Sequence, residues 1–350
     1  MGVFMGKGSK WLICVAALVI IIAGIKAAST IVVPLLVAVF ISLVCAPLAL
    51  GLQKRGAPTL LAVLVVVVLL ISIISIMSIV VGGSMNAFIA AIPVYEAQLR
   101  NRLVDLLTLA SQFDIALDSE SIRENINLDA TFGVLSNLLT AIGGLFANGF
   151  LILLVVVFIL MEAASMPDKA RVAFETSKKE PFVVFTQFIQ HLHKYLLIKT
   201  LIGIATGVCV TGMATFLGVD FPVVLGLIAF LLNYIPTLGS IFAAVPAVIL
   251  SLIEMGPSTS GIVAGGYVAI NILLGNVLEP RFQGRGLGIS PMVVFLSLVF
   301  WGWMLGIVGI LLAVPLTVSA KIAFEEFPEH RWIAILLGPE QPEDKRGDYK

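Results

Sequence analysis

Charge is scarce in this chain. Only 12% of its 350 residues are Asp, Glu, Lys or Arg, where a soluble domain carries about a quarter. The 21 bases balance the 21 acids, so no global basic field points to nucleic acid. Cysteine is scarcer still: Cys14, Cys45 and Cys209 all fall within apolar stretches, without the CxxC or Cys/His spacing that a metal or redox site needs. They read as small packing residues. His191 and His193 are two apart and would face different sides of a helix, which does not suit a metal site. The GxxxxGK[ST] loop is missing, which excludes an ATP-driven pump in one chain. So are the nucleophile elbow, the HExxH pair and any dyad that would serve an intramembrane protease. The expectation is a protein that is not an enzyme and uses no metal and no cofactor.

What the chain has in abundance is apolar sequence: 59% of residues are hydrophobic and the mean hydropathy is +1.10. A bilayer core of about 30 Å takes roughly 20 helical residues. Segments long enough are 11–28, 31–52, 58–81, 142–163, 196–217 and 262–278. Lys7 and Lys10 before the first segment, and Ala27-Ala28-Ser29 after it, have a weak signal-peptide character. Lys26 intervenes and a second span follows at once, so the reading is an uncleaved first helix.

Two further runs, 222–253 and 291–322, are too long for one untilted crossing, and they form a repeat. Pro222 and Pro246 have the same separation as Pro291 and Pro315, and Ala244-Val245-Pro246 overlays Ala313-Val314-Pro315. The approaches also rhyme, Leu217-Gly218-Val219-Asp220 against Leu287-Gly288-Ile289-Ser290. Each run is interrupted midway, by Asn233-Tyr234-Ile235-Pro236-Thr237-Leu238-Gly239 in the first and by the glycine-rich stretch from Gly302 to Gly309 in the second. Unwound backbone is tolerated at membrane depth only where protein or a water-filled cavity solvates it, so paired breaks of this kind point to a transporter's solute site.

The few charges set orientation. Between the third and fourth spans, residues 82–139 are polar, with Tyr95, Leu99, Leu103 and Leu106 at helical spacing, which predicts an amphipathic helix outside the bilayer. Seven acids (Glu96, Asp105, Asp114, Asp118, Glu120, Glu124, Asp129) stand there against Arg100, Arg102 and Arg123. After the fourth span the balance reverses: Lys169, Arg171, Lys178, Lys179, Lys194 and Lys199 against Asp168, Glu175 and Glu180. Positive charge stays inside, so the second linker is cytoplasmic and the acidic region lies on the far side. If both broken runs are re-entrant hairpins, Asp220 and Glu254 face outward while Arg281, Arg285 and Lys321 return to the cytoplasm. Single crossings would place Arg281 and Arg285 outside, against the charge rule. One span between two hairpins makes the repeat inverted in the membrane.

Two groups of residues could carry chemistry. Pro236 removes a backbone donor and displaces the Leu232 carbonyl, freeing main-chain groups beside Asn233, Tyr234 and Gly239 that could hydrogen-bond a small polyhydroxylated or carbonyl solute. The plainer reading is a kink steadied by Asn233 bonding a neighbouring helix. The second group is Asn271 and Asn276 running into Glu279-Pro280-Arg281, with Arg285 beyond. In an α-helix Asn276 and Glu279 share a face, and Pro280 ends or kinks the helix. A carboxylate near the apolar region needs a partner, and Arg281 or Arg285 is the near one. Either this is a gate or proton-coupling pair, or it is a charged turn that fixes orientation. Glu162 and Asp220 sit at span edges and read as interfacial anchors, and Trp301 and Trp303 as belt or packing residues.

The Leu232-Asn233-Tyr234-Ile235-Pro236-x-x-Gly239 stretch, Gly275-Asn276-Val277-Leu278-Glu279-Pro280-Arg281, and Gly284-Arg285-Gly286-Leu287-Gly288 together resemble the autoinducer-2 exporter family of bacterial membrane proteins. The resemblance runs from the Lys26/Pro34 region to Lys321 and is strongest from Tyr195 onward. It implies a bacterial inner-membrane exporter of the quorum-sensing signal autoinducer-2, a small furanosyl diol, working in the lipid bilayer as a homo-oligomer, with a pentamer as the suggested number. The Phe300-Trp301-Gly302-Trp303 stretch favours the autoinducer-2 branch over a cation/proton antiport branch. The resemblance names no catalytic residues.

The expected fold is therefore an all-α membrane protein of about six transmembrane helices plus two broken re-entrant hairpins in an inverted repeat, with both termini cytoplasmic. Its regions are the first three spans (1–81), an extramembrane helical region (82–141), the fourth span and basic linker (142–195), the repeat-containing transport region (196–322) and a tail (323–350). Substrate-binding candidates are Asn233, Tyr234, Pro236, Gly239, Asn271 and Asn276; gating or coupling candidates are Glu279, Pro280, Arg281 and Arg285. Outward movement of a small polar solute by alternating access is the leading function. A secondary cation/proton antiporter is the alternative, with Glu279 as its titrating acid, and a non-transporting scaffold is the third.

Overall fold

The computed structural model describes residues 7–112, 147–163, 180–236, 238–283, 288–326 and 331–338, with isolated residues at 140, 143–144 and 169. Among these, every regular element is helical. Helix α1 (Lys7–Ala27) and α2 (Ser29–Lys54) are joined by a single residue. Helix α3 (Thr59–Gln112) is 54 residues long, about 80 Å at the α-helical rise. Helix α4 (Gly149–Ala163) follows. Its residues Ile152, Val156 and Leu160, spaced by four, form one buried stripe against Ala38 and Ala49 of α2 and Val63 and Val66 of α3.

The second half starts with α5 (Glu180–Leu217) and continues through α6 (Pro222–Leu232) and α7 (Leu238–Met255). These two are the arms of a hairpin. The Asp220 backbone amide donates to the Glu254 carboxylate at 3.0 Å, although 34 residues of unbroken helix would separate them by about 51 Å. Helix α6 lies on α5 at backbone contact: a Cβ at Gly207 would sit 2.8 Å from the Gly226 carbonyl oxygen, and one at Gly226 would overlap Thr211. Close approach through small residues replaces the hydrophobic driving force that a bilayer cannot supply between helices.

Helix α8 (Pro257–Ile270) then runs without interruption into a π-helical segment, Asn271–Leu278, and the short α9 (Glu279–Gln283). Helix α10 (Pro291–Glu326) is also a folded-back pair, broken at Gly306, where φ is 69° and ψ is −150°. Trp301 Nε1 donates to Thr317 Oγ1 at 3.0 Å across 16 residues, about 24 Å in a straight helix. Both broken runs are therefore hairpins, and their turns share one device. A Cβ at Gly239 would fall 1.8 Å from the Leu232 carbonyl oxygen, and one at Gly309 would fall 1.9 Å from that of Trp301. Each turn closes by seating a glycine directly on the carbonyl that ends the first arm. A final helix, α11 (Arg331–Leu337), accepts the Ser290 amide at Leu337.

The main core joins α5, α8 and both hairpins, with Val210, Leu225, Ile228, Ala243, Ala247, Leu298 and Ala313 inside. A smaller cluster of Tyr195, Leu196, Val314 and Val318 meets Phe40, Leu43 and Val44 of α2 and so ties the two halves together. Outside, large apolar side chains such as Ile20, Leu60, Ile79 and Phe216 are bare, an apolar outer surface that only lipid solvates. Among the described residues, six helical segments are long and apolar enough to cross a bilayer. Four of them fall on expected spans, and the other two, Leu238–Met255 and Pro291–Glu325, belong to the two broken runs.

Helix α3 passes through Gly82 and Gly83 as one rod, because a helical glycine costs only about 1 kcal/mol relative to alanine, and its apolar span is Thr59–Ser84. Likewise α5 begins at Glu180 and its apolar span is Leu192–Leu217. The 323–350 tail contributes the end of α10 and all of α11, where Ala334 is buried. Of the stripe predicted on the extramembrane helix, Tyr95 is buried as expected; Leu99, Leu103 and Leu106 have side chains outside the described residues.

Candidate functional site

The first hairpin's tip gathers polar groups in the interior. Asn233 caps α6, its amide hydrogen-bonded to Ala229, while Leu238 N reaches Pro236 O at 2.6 Å, so the chain turns within five residues. Tyr234 is buried there. Its hydroxyl is 2.7 Å from Thr200 Oγ1, and its ring meets Phe40 and Phe230 edge-on at centroid distances of 5.3 and 5.8 Å. Phe40 lies near the midpoint of α2, so the tip sits midway along a spanning helix.

Lys199 binds this tip to the crossing helix. From α5 its ammonium donates to the Asn233 carbonyl at 3.0 Å and to Glu279 Oε1 at 2.7 Å. Both charged side chains are largely buried, with 6% and 14% of their surface exposed. One turn earlier on α5, Tyr195 is buried as well. The Asn233 side-chain nitrogen Nδ2 is buried without a hydrogen-bond partner. Removing two charges from water is costly unless they are paired and hydrogen-bonded. Here the lysine neutralises the acid and also donates to the main-chain carbonyl of Asn233 at the hairpin turn.

Glu279 pairs with Lys199, a residue counted among the cytoplasmic linker charges, while Arg281, two positions away, is exposed. Arg285 lies outside the described residues. Asn276 does not join Glu279 on a shared face; it is exposed, as is Pro280. The physical reason is the π-helical segment that precedes Glu279. Its wider turn closes i→i+5 bonds, so three residues no longer return a side chain to the same side. Asn271 is half-buried with its amide oxygen over Gly275 of its own helix. Of the ten candidates, the structure brings Asn233, Tyr234, Pro236, Gly239 and Glu279 to one tip. It adds Lys199 and Thr200, which sequence reasoning missed. The signal was present in Lys199 itself, a cation three residues inside an apolar span, where an ionisable residue is a functional candidate by default.

A second polar cluster closes the hairpin's base. Tyr95, from the extended end of α3, donates to Asp220 Oδ2 at 2.8 Å, and Asp220 N donates to Glu254 Oε2. Asp220 is thus a structural joint as well as an edge residue. Burial, the Asp220 hydrogen bond and the neighbouring Glu254 and Asp220 charges push the Tyr95 phenol above its ordinary range, so it remains a donor. The second hairpin also meets a lysine, with Lys26 Nζ 3.7 Å from the centroid of the Trp303 ring.

Two broken hairpins among membrane-spanning helices, the first pinned at its tip by a buried ion pair, give a multi-pass membrane protein with the layout of a transporter. The chain belongs to the AI-2E transporter family: the description "AI-2E family transporter" matches residues 15–329. It is similar to the AI-2 transport protein TqsA of Escherichia coli (strain K12), 37% identical over 331 residues, covering 95% of this chain and 96% of TqsA. A protein of Haemophilus influenzae is 37% identical over 336 residues, covering 94% of this chain and 96% of its own. YhhT of Escherichia coli (strain K12) is 35% identical over 338 residues, covering 97% of each. These last two are assigned to transport only provisionally, with no solute named.

Proposed function

We propose that this protein exports autoinducer-2, or a small polar solute like it, across the bacterial inner membrane by alternating access. It acts as a carrier and not as an enzyme, and it works as a homo-oligomer, with a pentamer as the number to test. Both termini are cytoplasmic, Asp220 and Glu254 face outward, and residues 196–322 form the transport region. The observation that carries the reading is the first hairpin's tip. A broken, polar turn pinned among spanning helices by Lys199 and Glu279 gives hydrogen-bonding groups where the membrane otherwise has none. The solute is suggested by the end-to-end similarity to TqsA. Asn233, Tyr234, Pro236 and Gly239 line the site, and Glu279 with Lys199 gates it. The experiment is a deletion strain and its complemented control, with autoinducer-2 measured inside and outside the cells. Retention inside the deletion strain, reversed by complementation, is expected. Unchanged partition refutes export of this solute.

The burial of Glu279 favours a second reading, cation/proton antiport, because a carboxylate at this depth is a candidate proton carrier. In proteoliposomes, Glu279→Gln separates the two. Loss of the response to an imposed pH gradient, with solute binding intact, supports coupling through this residue.

A further inference from the structure

Lys199 has no place in the sequence motifs, yet it is the residue on which the hairpin tip converges. We infer that Lys199 sets the charge of the solute this site accepts. Joined to Glu279 and to the Asn233 carbonyl, it makes the tip a charge-neutral, donor-rich site for an uncharged, oxygen-bearing solute. The inference rests on the transport reading above and adds to it a residue and a rule of selection.

The first factor is charge. Lys199 and Glu279 touch at 2.7 Å, both mostly buried. Wherever the shared proton resides, the pair sums to zero. An anion entering this region is attracted by the ammonium and repelled by a carboxylate in contact with it; a cation meets the reverse. Neither recovers the hydration it leaves behind, and the burial of an ion without net compensation is strongly unfavourable. An uncharged polyol or hydroxyketone gives up only hydrogen bonds to water, which the site can replace.

The second factor is donors. An ammonium group carries three N–H donors. Two are directed toward Glu279 Oε1 and Asn233 O. The Asn233 Nδ2 is buried without a partner. Lys199 is bonded to the main chain of Asn233 itself, so the ammonium and the open amide donor belong to one contact. Buried donors left unpaired are unfavourable, and the partner that satisfies them without adding charge is a hydroxyl or carbonyl oxygen. The third factor is position. Lys199 spans from α5 to both the hairpin tip and the end of the crossing helix, so a solute oxygen that takes a donor from it acts on the contact joining these elements.

The test measures flux ratios in proteoliposomes holding the full-length chain. The solutes are uncharged dihydroxypentanedione, the anion erythronate and the cation 1-amino-2,3-propanediol. The wild type is expected to move the uncharged solute and exclude both ions. Glu279→Gln leaves a net positive charge and is expected to raise the erythronate-to-dihydroxypentanedione ratio about tenfold or more, since one unbalanced charge at contact distance dominates in a dry site. Asn233→Asp adds a negative charge with the ion pair intact and is expected to raise the cation ratio by a similar factor. Each readout is a ratio within one preparation, so a variant that inserts poorly lowers both fluxes and leaves the ratio readable. The near-isosteric Asn233→Asp carries the test alone if Glu279→Gln does not assemble. Ratios within twofold of wild type in every variant that assembles, with uncharged flux retained, overturn the inference and leave Lys199 a structural pin. Absence of flux for all three solutes in the wild type overturns the transport reading and this inference with it.

Discussion

Replacing Glu279 by Gln should destabilise the fold far more than a surface charge change does. The size follows from the geometry. Glu279 accepts from Lys199 at 2.7 Å with 14% of its side chain exposed, and Lys199 is more deeply buried still, at 6%. Glutamine keeps the shape and one hydrogen bond but leaves an ammonium inside without counter-charge. Breaking one side of a buried pair costs about 3–5 kcal/mol. The surviving bond from Lys199 to the Asn233 carbonyl and the partial exposure of position 279 place this case near the lower end, about 3 kcal/mol. Lys199→Met strands the carboxylate to a similar extent and also frees the Asn233 carbonyl, adding about 1 kcal/mol or more. The double variant removes both charges together, so its cost should fall to about 1–2 kcal/mol, mostly the orphaned carbonyl. The coupling between the two sites should then exceed about 2 kcal/mol. The assay is reversible denaturant unfolding in detergent at fixed protein concentration, followed by tryptophan fluorescence, for wild type, both single variants and the double. Additivity within about 0.5 kcal/mol would refute the reasoning, because independent sites add to that degree and a buried pair cannot.

Other outcomes follow from the same structure. Asn233→Ala should lower solute flux while insertion and assembly hold, since the lost amide removes hydrogen bonds worth about 0.5–1.5 kcal/mol without emptying an apolar core; wild-type flux with a lowered unfolding midpoint would assign Asn233 to packing. Gly239→Val and Gly309→Val should each abolish the folded protein, because the added carbon falls on a backbone carbonyl, whereas Gly261→Ala, with open space around it, should be tolerated; yield of monodisperse protein on size-exclusion chromatography decides. Tyr95→Phe should loosen the join between α3 and the first hairpin by about 1–2 kcal/mol, read as faster hydrogen exchange around Asp220 and Glu254. A cysteine at Arg285 should react with an impermeant thiol reagent only after the membrane is made permeable, and labelling in intact cells would reverse the proposed topology.

The sequence alone determined what depends on composition and local pattern. Apolar runs with few charges demanded a bilayer. The paired Pro and Gly interruptions demanded folded-back segments, and both hairpins are present, each turning where the pattern breaks, because proline and a glycine packed on a carbonyl act within a few residues of themselves. Asn233 and Tyr234 stood out for the same local reason. Partner choice was not legible in this way. Proximity along the chain suggested Arg281 or Arg285 for Glu279, yet packing brought Lys199, 80 positions away, to a contact of 2.7 Å. An α-helical period put Asn276 beside Glu279, but the segment from Asn271 to Leu278 is π-helical and turned them apart. That winding leaves no mark in hydrophobic spacing. Charge counting likewise assigned Lys199 to water, because a tally of linker residues carries no depth. Only the folded chain, with the Asn233 carbonyl on one side and a carboxylate on the other, makes the interior a tolerable place for an ammonium.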